Sequence, residues 1–130
     1  GNAIDFGDLT SAREASRALS SSTRGVIIGG SSVDTIEFIT IASQGNSIDY
    51  GNTSTSGSES YGNAGFSNSV RGVYAIGYSQ PSNVTVNTLE FFDINTGGAA
   101  QDFGDLVIAR QQVGGASEAN GGSRNKTITI

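Results

Sequence analysis

The 130 residues are the length of a single domain, and 12 acids against seven bases give a net charge of −5 with no clustered Lys or Arg, which excludes a phosphate-tracking nucleic-acid surface. The absence of His and Cys removes imidazole bases, Ser-His-Asp triads, thiolate nucleophiles, disulfides and zinc or iron–sulfur sites. No apolar run approaches the roughly 18 residues of a membrane helix, and Leu, Ile, Val and Phe total 30 residues, just above the roughly 20% a chain needs to bury a core.

Short apolar runs lie between clusters of Gly, Asn and Ser, the pattern of many short strands. In chain order the sequence predicts a strand d over 1–10 (containing GNAIDFG), then strand a at 14–20 and strand b at 24–30 (RGVIIGG). Strand c follows at 34–43 (DTIEFITIAS) and strand d at 47–51 (SIDYG). The same order returns as a at 60–67, b at 71–78 (RGVYAIGY), c at 86–95 (VNTLEFFDIN) and d at 101–107 (QDFGDLV). A helix over Ala12–Leu19 is the one competing expectation; its counterpart Ala109–Gly115 runs into Gly, which favours strand.

These elements repeat. Ile36, Glu37 and Phe38 match Leu89, Glu90 and Phe91, and Asp49-Tyr50-Gly51 matches Asp102-Phe103-Gly104, at an offset of 53. GNAIDFG at 1–7 matches GNSIDYG at 45–51 at 44, and FGDLTSAR at 6–13 matches FGDLVIAR at 103–110 at 97, the sum of the two. STRGV at 22–26, SVRGV at 69–73 and GSRNK at 122–126 form a third anchor. The spacing places three extra residues before the Arg of the later units and six around Ser79–Asn83, which reads as a longer loop. The organisation is a strand d (1–10), a unit 11–54, a unit 55–107 and a partial unit 108–130, about 2.75 units in all.

Strand c is apolar on both faces, with Ile36 and Phe38 pointing one way and Ile39 and Ile41 the other. Strands covered on both faces suit sheets packed between neighbouring sheets. The expected fold is therefore all-β, with four-stranded antiparallel blades of the kelch or β-propeller type, whose period is about 50 residues. Phe38 and Phe91 are the expected core residues of strand c.

The segments GNAIDFGDLTSAR, STRGVIIGG and IEFITIASQGN resemble the kelch-like repeat proteins of tailed phages, notably the virion-associated proteins of cyanophages, over nearly the whole chain. The resemblance implies a virion or extracellular location, a structural role and contact rather than catalysis. Unit two departs from the pattern: it has GYSQ where unit one has GGSS, and Asn52–Gly62 has lost DLTSAR.

Several motifs carry a functional and a structural reading side by side. The DFGD segments offer Asp5 with Asp8 and Asp102 with Asp105, either as Ca²⁺ carboxylates or as turn residues whose Gly tolerates positive φ. Arg24, Arg71 and Arg124 recur at the start of strand b, and Arg13 and Arg110 after strand d. They are a ring clamping an anion, or one ion pair or carbonyl contact per unit, with Asp5, Asp49 and Asp102 as the first candidates for partners. Tyr50 stands at a Phe position of the repeat and reads as core, whereas Tyr61 and Tyr78, in polar surroundings, are the candidates for stacking on a sugar.

The expected function is that of a non-catalytic structural or adhesive module without cofactor or metal. The alternative is a carbohydrate-binding, lectin-like propeller piece. The expected partners are copies of the chain itself, joined head to tail as a ring or filament by strand addition between Lys126–Ile130 and Gly1–Gly7, or the missing blades of a longer parent, with surface glycan as a further ligand; neither nucleic acid nor membrane is expected.

Overall fold

A computed structural model describes residues 1–30, 32–55, 64–80 and 82–117. They form ten strands and no helix: β1 (Arg17–Ser20), β2 (Arg24–Gly30), β3 (Val33–Thr40), β4 (Ile48–Asn52), β5 (Ala64–Ser67), β6 (Arg71–Ala75), β7 (Tyr78–Ser79), β8 (Val84–Thr85), β9 (Thr88–Asp93) and β10 (Gln101–Asp105). Two antiparallel four-stranded sheets result, β1-β2-β3-β4 and β5-β6-β9-β10, with β7-β8 as a separate hairpin between β6 and β9.

The hairpin stands where the repeat spacing placed six extra residues. Strand b of the second unit ends early because Gly77 turns it. Tyr78 N donates to Ile76 O at 2.8 Å around Gly77 at φ 72°, a γ-turn that a residue with a Cβ adopts only under strain.

The two sheets repeat each other hydrogen bond by hydrogen bond. Ile41 N donates to Thr23 O and Ile94 N to Val70 O. Thr53 N donates to Asp34 O, and Leu106 N to Asn87 O. In both, strand d carries an extra residue opposite strand c: Tyr50 lies between the paired Asp49 and Gly51, and Phe103 between the paired Asp102 and Gly104. Such a bulge unpairs one residue and re-aims its side chain.

The core lies between the sheets. Leu19, Val26, Ile28 and Ile36 of the first meet Tyr74, Ile76, Phe92 and Ile94 of the second. Gly72 pairs with Phe92, and a Cβ on it would sit 2.6 Å from the Phe92 ring and 3.1 Å from Leu19 Cδ2, so its bareness is what admits the ring.

Three expectations are corrected. Residues 1–10 form no strand; they run along the first sheet and hydrogen-bond to the loop before β4. Strand a is shorter than its apolar pattern, starting at Arg17, because Ala15 takes φ 56° and breaks the extended run. Phe38 and Phe91 are half-buried rather than core: side chains alternate along a strand, so on β9 Phe92 and Ile94 face the first sheet and Phe91 faces away from it, while Phe38 packs at the margin of the core under Arg24; Ile41 stays 47% exposed. The partial unit's Arg124 and the Lys126–Ile130 edge lie outside the described residues, as does Tyr61; residues 108–117 contain no strand.

Candidate functional site

Three stretches of the repeat, at 5–10, 49–54 and 102–107, share one turn, although only the later two lie in strands. Asp5 Oδ1 accepts from Gly7 N at 3.2 Å, Asp49 Oδ1 from Gly51 N at 3.2 Å and Asp102 Oδ1 from Gly104 N at 2.9 Å. Each is an Asx turn, with Gly7 at φ 150° and Gly104 at φ 136° where a side chain would strain the backbone. The three aspartates thus hold turns.

What these turns present is an edge for the next unit. Phe6 O accepts from Gly45 N and Asp8 O from Ser47 N, both at 2.9 Å. One unit on, Tyr50 O accepts from Gly98 N at 2.6 Å and Asn52 O from Ala100 N at 2.8 Å. The bulge explains the exchange: the carbonyl of the extra residue is turned away from its own sheet and bonds to the neighbour. A Cβ on Gly51 would collide with Gly98 O, so only glycine permits this approach.

A buried glutamate closes each contact. Glu37, with no exposed surface, accepts from Thr10 N at 2.9 Å, from the Thr10 hydroxyl and from Ser47 Oγ, and forms an ion pair with Arg13. Its counterpart Glu90, also buried, accepts from Ser54 N at 3.2 Å through both carboxylate oxygens. Burial pushes the Glu37 carboxyl up, but the Ser47 and Thr10 hydrogen bonds and the Arg13 guanidinium outweigh it and hold it below the ordinary value.

Arginine supplies the third element. Arg24 lies 4.1 Å over the Phe38 ring, donates to Ile94 O at 2.7 Å and Asn95 O at 2.6 Å, and so ties the first sheet to the turn after β9. Phe38 and Tyr50 meet edge-on at 4.9 Å, and Tyr50 meets Phe92 at 6.3 Å. Arg71 lies 4.7 Å over Phe91, and Phe91 meets Phe103 edge-on at 5.9 Å, the same trio on the second sheet. The arginines therefore bind carbonyls, rings and Glu37.

The glutamates were passed over in the sequence although the signal was there: a charged residue recurs inside a strand apolar on both faces, at Glu37 and Glu90. Tyr78, half-buried on β7, donates to Asn83 Oδ1 at 3.4 Å across its hairpin. Among the described residues no group of three or more acids gathers as a metal site. No known protein family and no curated protein matches the chain.

Tyr50 has one misfit. Its hydroxyl is buried without a hydrogen-bond partner among the described residues, and burial, opposed by Arg24 and reinforced by Asp93, pushes its pKa up to about 12. Tyr50→Phe, the residue the other repeats carry, is expected to raise stability by about 1 kcal/mol in urea titrations. The sign in alkali follows from the raised value. The native state favours the neutral phenol, so stability is full below the unfolded value of about 10 and falls as pH rises through about 12. The variant loses that part of the alkaline decline.

Proposed function

We propose that the chain is a non-catalytic structural or adhesive β-repeat module of the kelch-like propeller type, working in a virion or extracellular assembly by packing units side by side and presenting its turns to a partner. One observation carries this reading: the contact made by Phe6, Asp8 and Thr10 with Gly45, Ser47 and Glu37 is made again by Tyr50, Asn52 and Ser54 with Gly98, Ala100 and Glu90. A contact repeated at both offsets is a stacking device, and it engages the charged residues of the motif in holding one unit to the next. The radial stacking of four-stranded sheets in propellers uses such face-to-face repetition. The partners are copies of the chain or further units of a longer parent.

The reading predicts antibody labelling of intact particles or cell surfaces from the source, with no turnover in a hydrolase panel and no specific signal on a glycan array. Turnover would replace it with an enzyme. Saccharide binding lost in Tyr78→Ala would replace it with the lectin.

A further inference from the structure

The second sheet ends in a face that repeats the one by which the first sheet holds its neighbour. On the first sheet Arg24, Phe38, Tyr50, Asn52 and Ser54 are covered by the loop after β9 and by Glu90. The matching residues on the second are Arg71, Phe91, Phe103, Asp105 and Val107. Among the described residues no loop stands opposite Phe103 and Asp105 as Gly98 and Ala100 stand opposite Tyr50 and Asn52. Instead, Phe103 is 49% exposed, Val107 98% and Ile108 62%. A groove of about 300 Å³ opens there between Phe66, Ser67, Asn68, Arg71, Val73 and Phe103.

The chain also contains the receptor for this face. The first sheet already binds such a segment, since residues 6–13 (FGDLTSAR) lie on Gly45, Ser47 and Glu37. Residues 103–110 (FGDLVIAR) are the same at six of the eight positions. The two differences replace Thr10 and Ser11 by Val107 and Ile108, both exposed to water. Arg110 stands where Arg13 pairs with the buried Glu37. Residues 6–13 lie outside any sheet, and the bonds they would give up to Gly45, Ser47 and the buried Glu37 are the ones residues 103–110 would offer in return, so the exchange offsets most of the cost of opening.

We propose that this face binds a second copy of the chain, with residues 103–110 of one copy taking the place of residues 6–13 on the first sheet of the next. The proposal rests on the reading of the chain as a contact module. In the joined state Phe103 O and Asp105 O accept from Gly45 N and Ser47 N of the second copy, Val107 N donates to its Glu37, Arg110 pairs with that carboxylate, and Arg71 reaches the carbonyls of Ile41 and Ala42, the counterparts of Ile94 and Asn95. The exchange requires residues 111–117, where Gly115 lies against Gly65 O, to leave β5. Exchange of equivalent elements is a low-cost route to association, and this contact is heterologous, so it extends to a filament or closes as a ring.

Sedimentation velocity of the full chain over a thousandfold concentration range tests it. The expected result is reversible growth beyond the monomer. It is lost in Val107→Asp, whose circular dichroism and melting temperature match the monomeric parent because the position is 98% exposed, and weakened in Arg71→Ala, which also gives up the stacking on Phe91. A synthetic peptide of residues 103–110 is expected to reverse association of the parent chain. A monomer at every concentration overturns the proposal and leaves the face to a unit covalently following in a longer parent. Association unchanged by both variants and by the peptide also overturns it, since the contact then lies elsewhere. Either failure leaves the non-catalytic reading intact, whereas turnover or saccharide binding would overturn that reading without touching the association.

Discussion

Phe92→Ala is expected to lower stability by about 3–5 kcal/mol, the cost of truncating a buried aromatic and leaving its cavity. The ring lies between the sheets, fills the space left by Gly72 and meets Tyr50 edge-on, so its loss weakens both sheets at once. A domain of this size has only about 5–15 kcal/mol in total, and the variant is close to unfolding at ambient temperature. The neighbouring Phe91→Ala is expected to cost about 1–2 kcal/mol, because a half-buried ring gives up less area. Urea denaturation of both variants measures the difference. Equal losses would show that the inward face of β9 has been assigned to the wrong residues.

Arg13→Ala is expected to cost about 3–5 kcal/mol, because it leaves the Glu37 carboxylate buried without its counter-charge. Arg13→Lys recovers only part, since an ammonium cannot reproduce the guanidinium's donors to Gly29 O at 3.2 Å and Thr10 Oγ1 at 3.1 Å as well as the ion pair. The pair also sets an acid limit. The native state lowers the Glu37 pKa, so its contribution is present above the ordinary value of 4.5 and is lost as pH falls through the lower folded value. Stability measured across this range is expected to fall steeply on acidification in the parent chain and less steeply in Glu37→Gln. Identical acid profiles in the two proteins would show that Glu37 titrates as it does in the unfolded chain. Loss of amide protection at Gly45 and Ser47 in Arg13→Ala would place the damage at the contact with residues 6–13 rather than in the core.

Much of this architecture was legible in the chain. Short apolar runs bounded by Gly and Asn give strands because an extended segment buries alternate residues and needs turns at its ends, and the offsets of 44 and 53 located both sheets and the longer loop between β6 and β9, which the structure shows to be the hairpin β7-β8. The Asx turns were legible too, since an aspartate two residues before a glycine bonds locally whatever lies around it. The depth of each residue could not be read in the same way. Phe38 and Phe92 are both aromatic residues on strand c, and only the packing of one sheet on the other decides that the second is buried and the first is half-covered by Arg24.

The partner of each charge was likewise decided in three dimensions. Arg13 meets Glu37 across 24 positions, and Arg24 meets carbonyls 70 and 71 positions away. Local pattern carries no information on such distances. The repeat determined that residues 6–13 and 103–110 are the same element, but only the tertiary structure showed what that element does. Residues 6–8 present their carbonyls to Gly45 and Ser47, and in the equivalent stretch the bulge at Tyr50 turns its carbonyl out of its own sheet to Gly98 N.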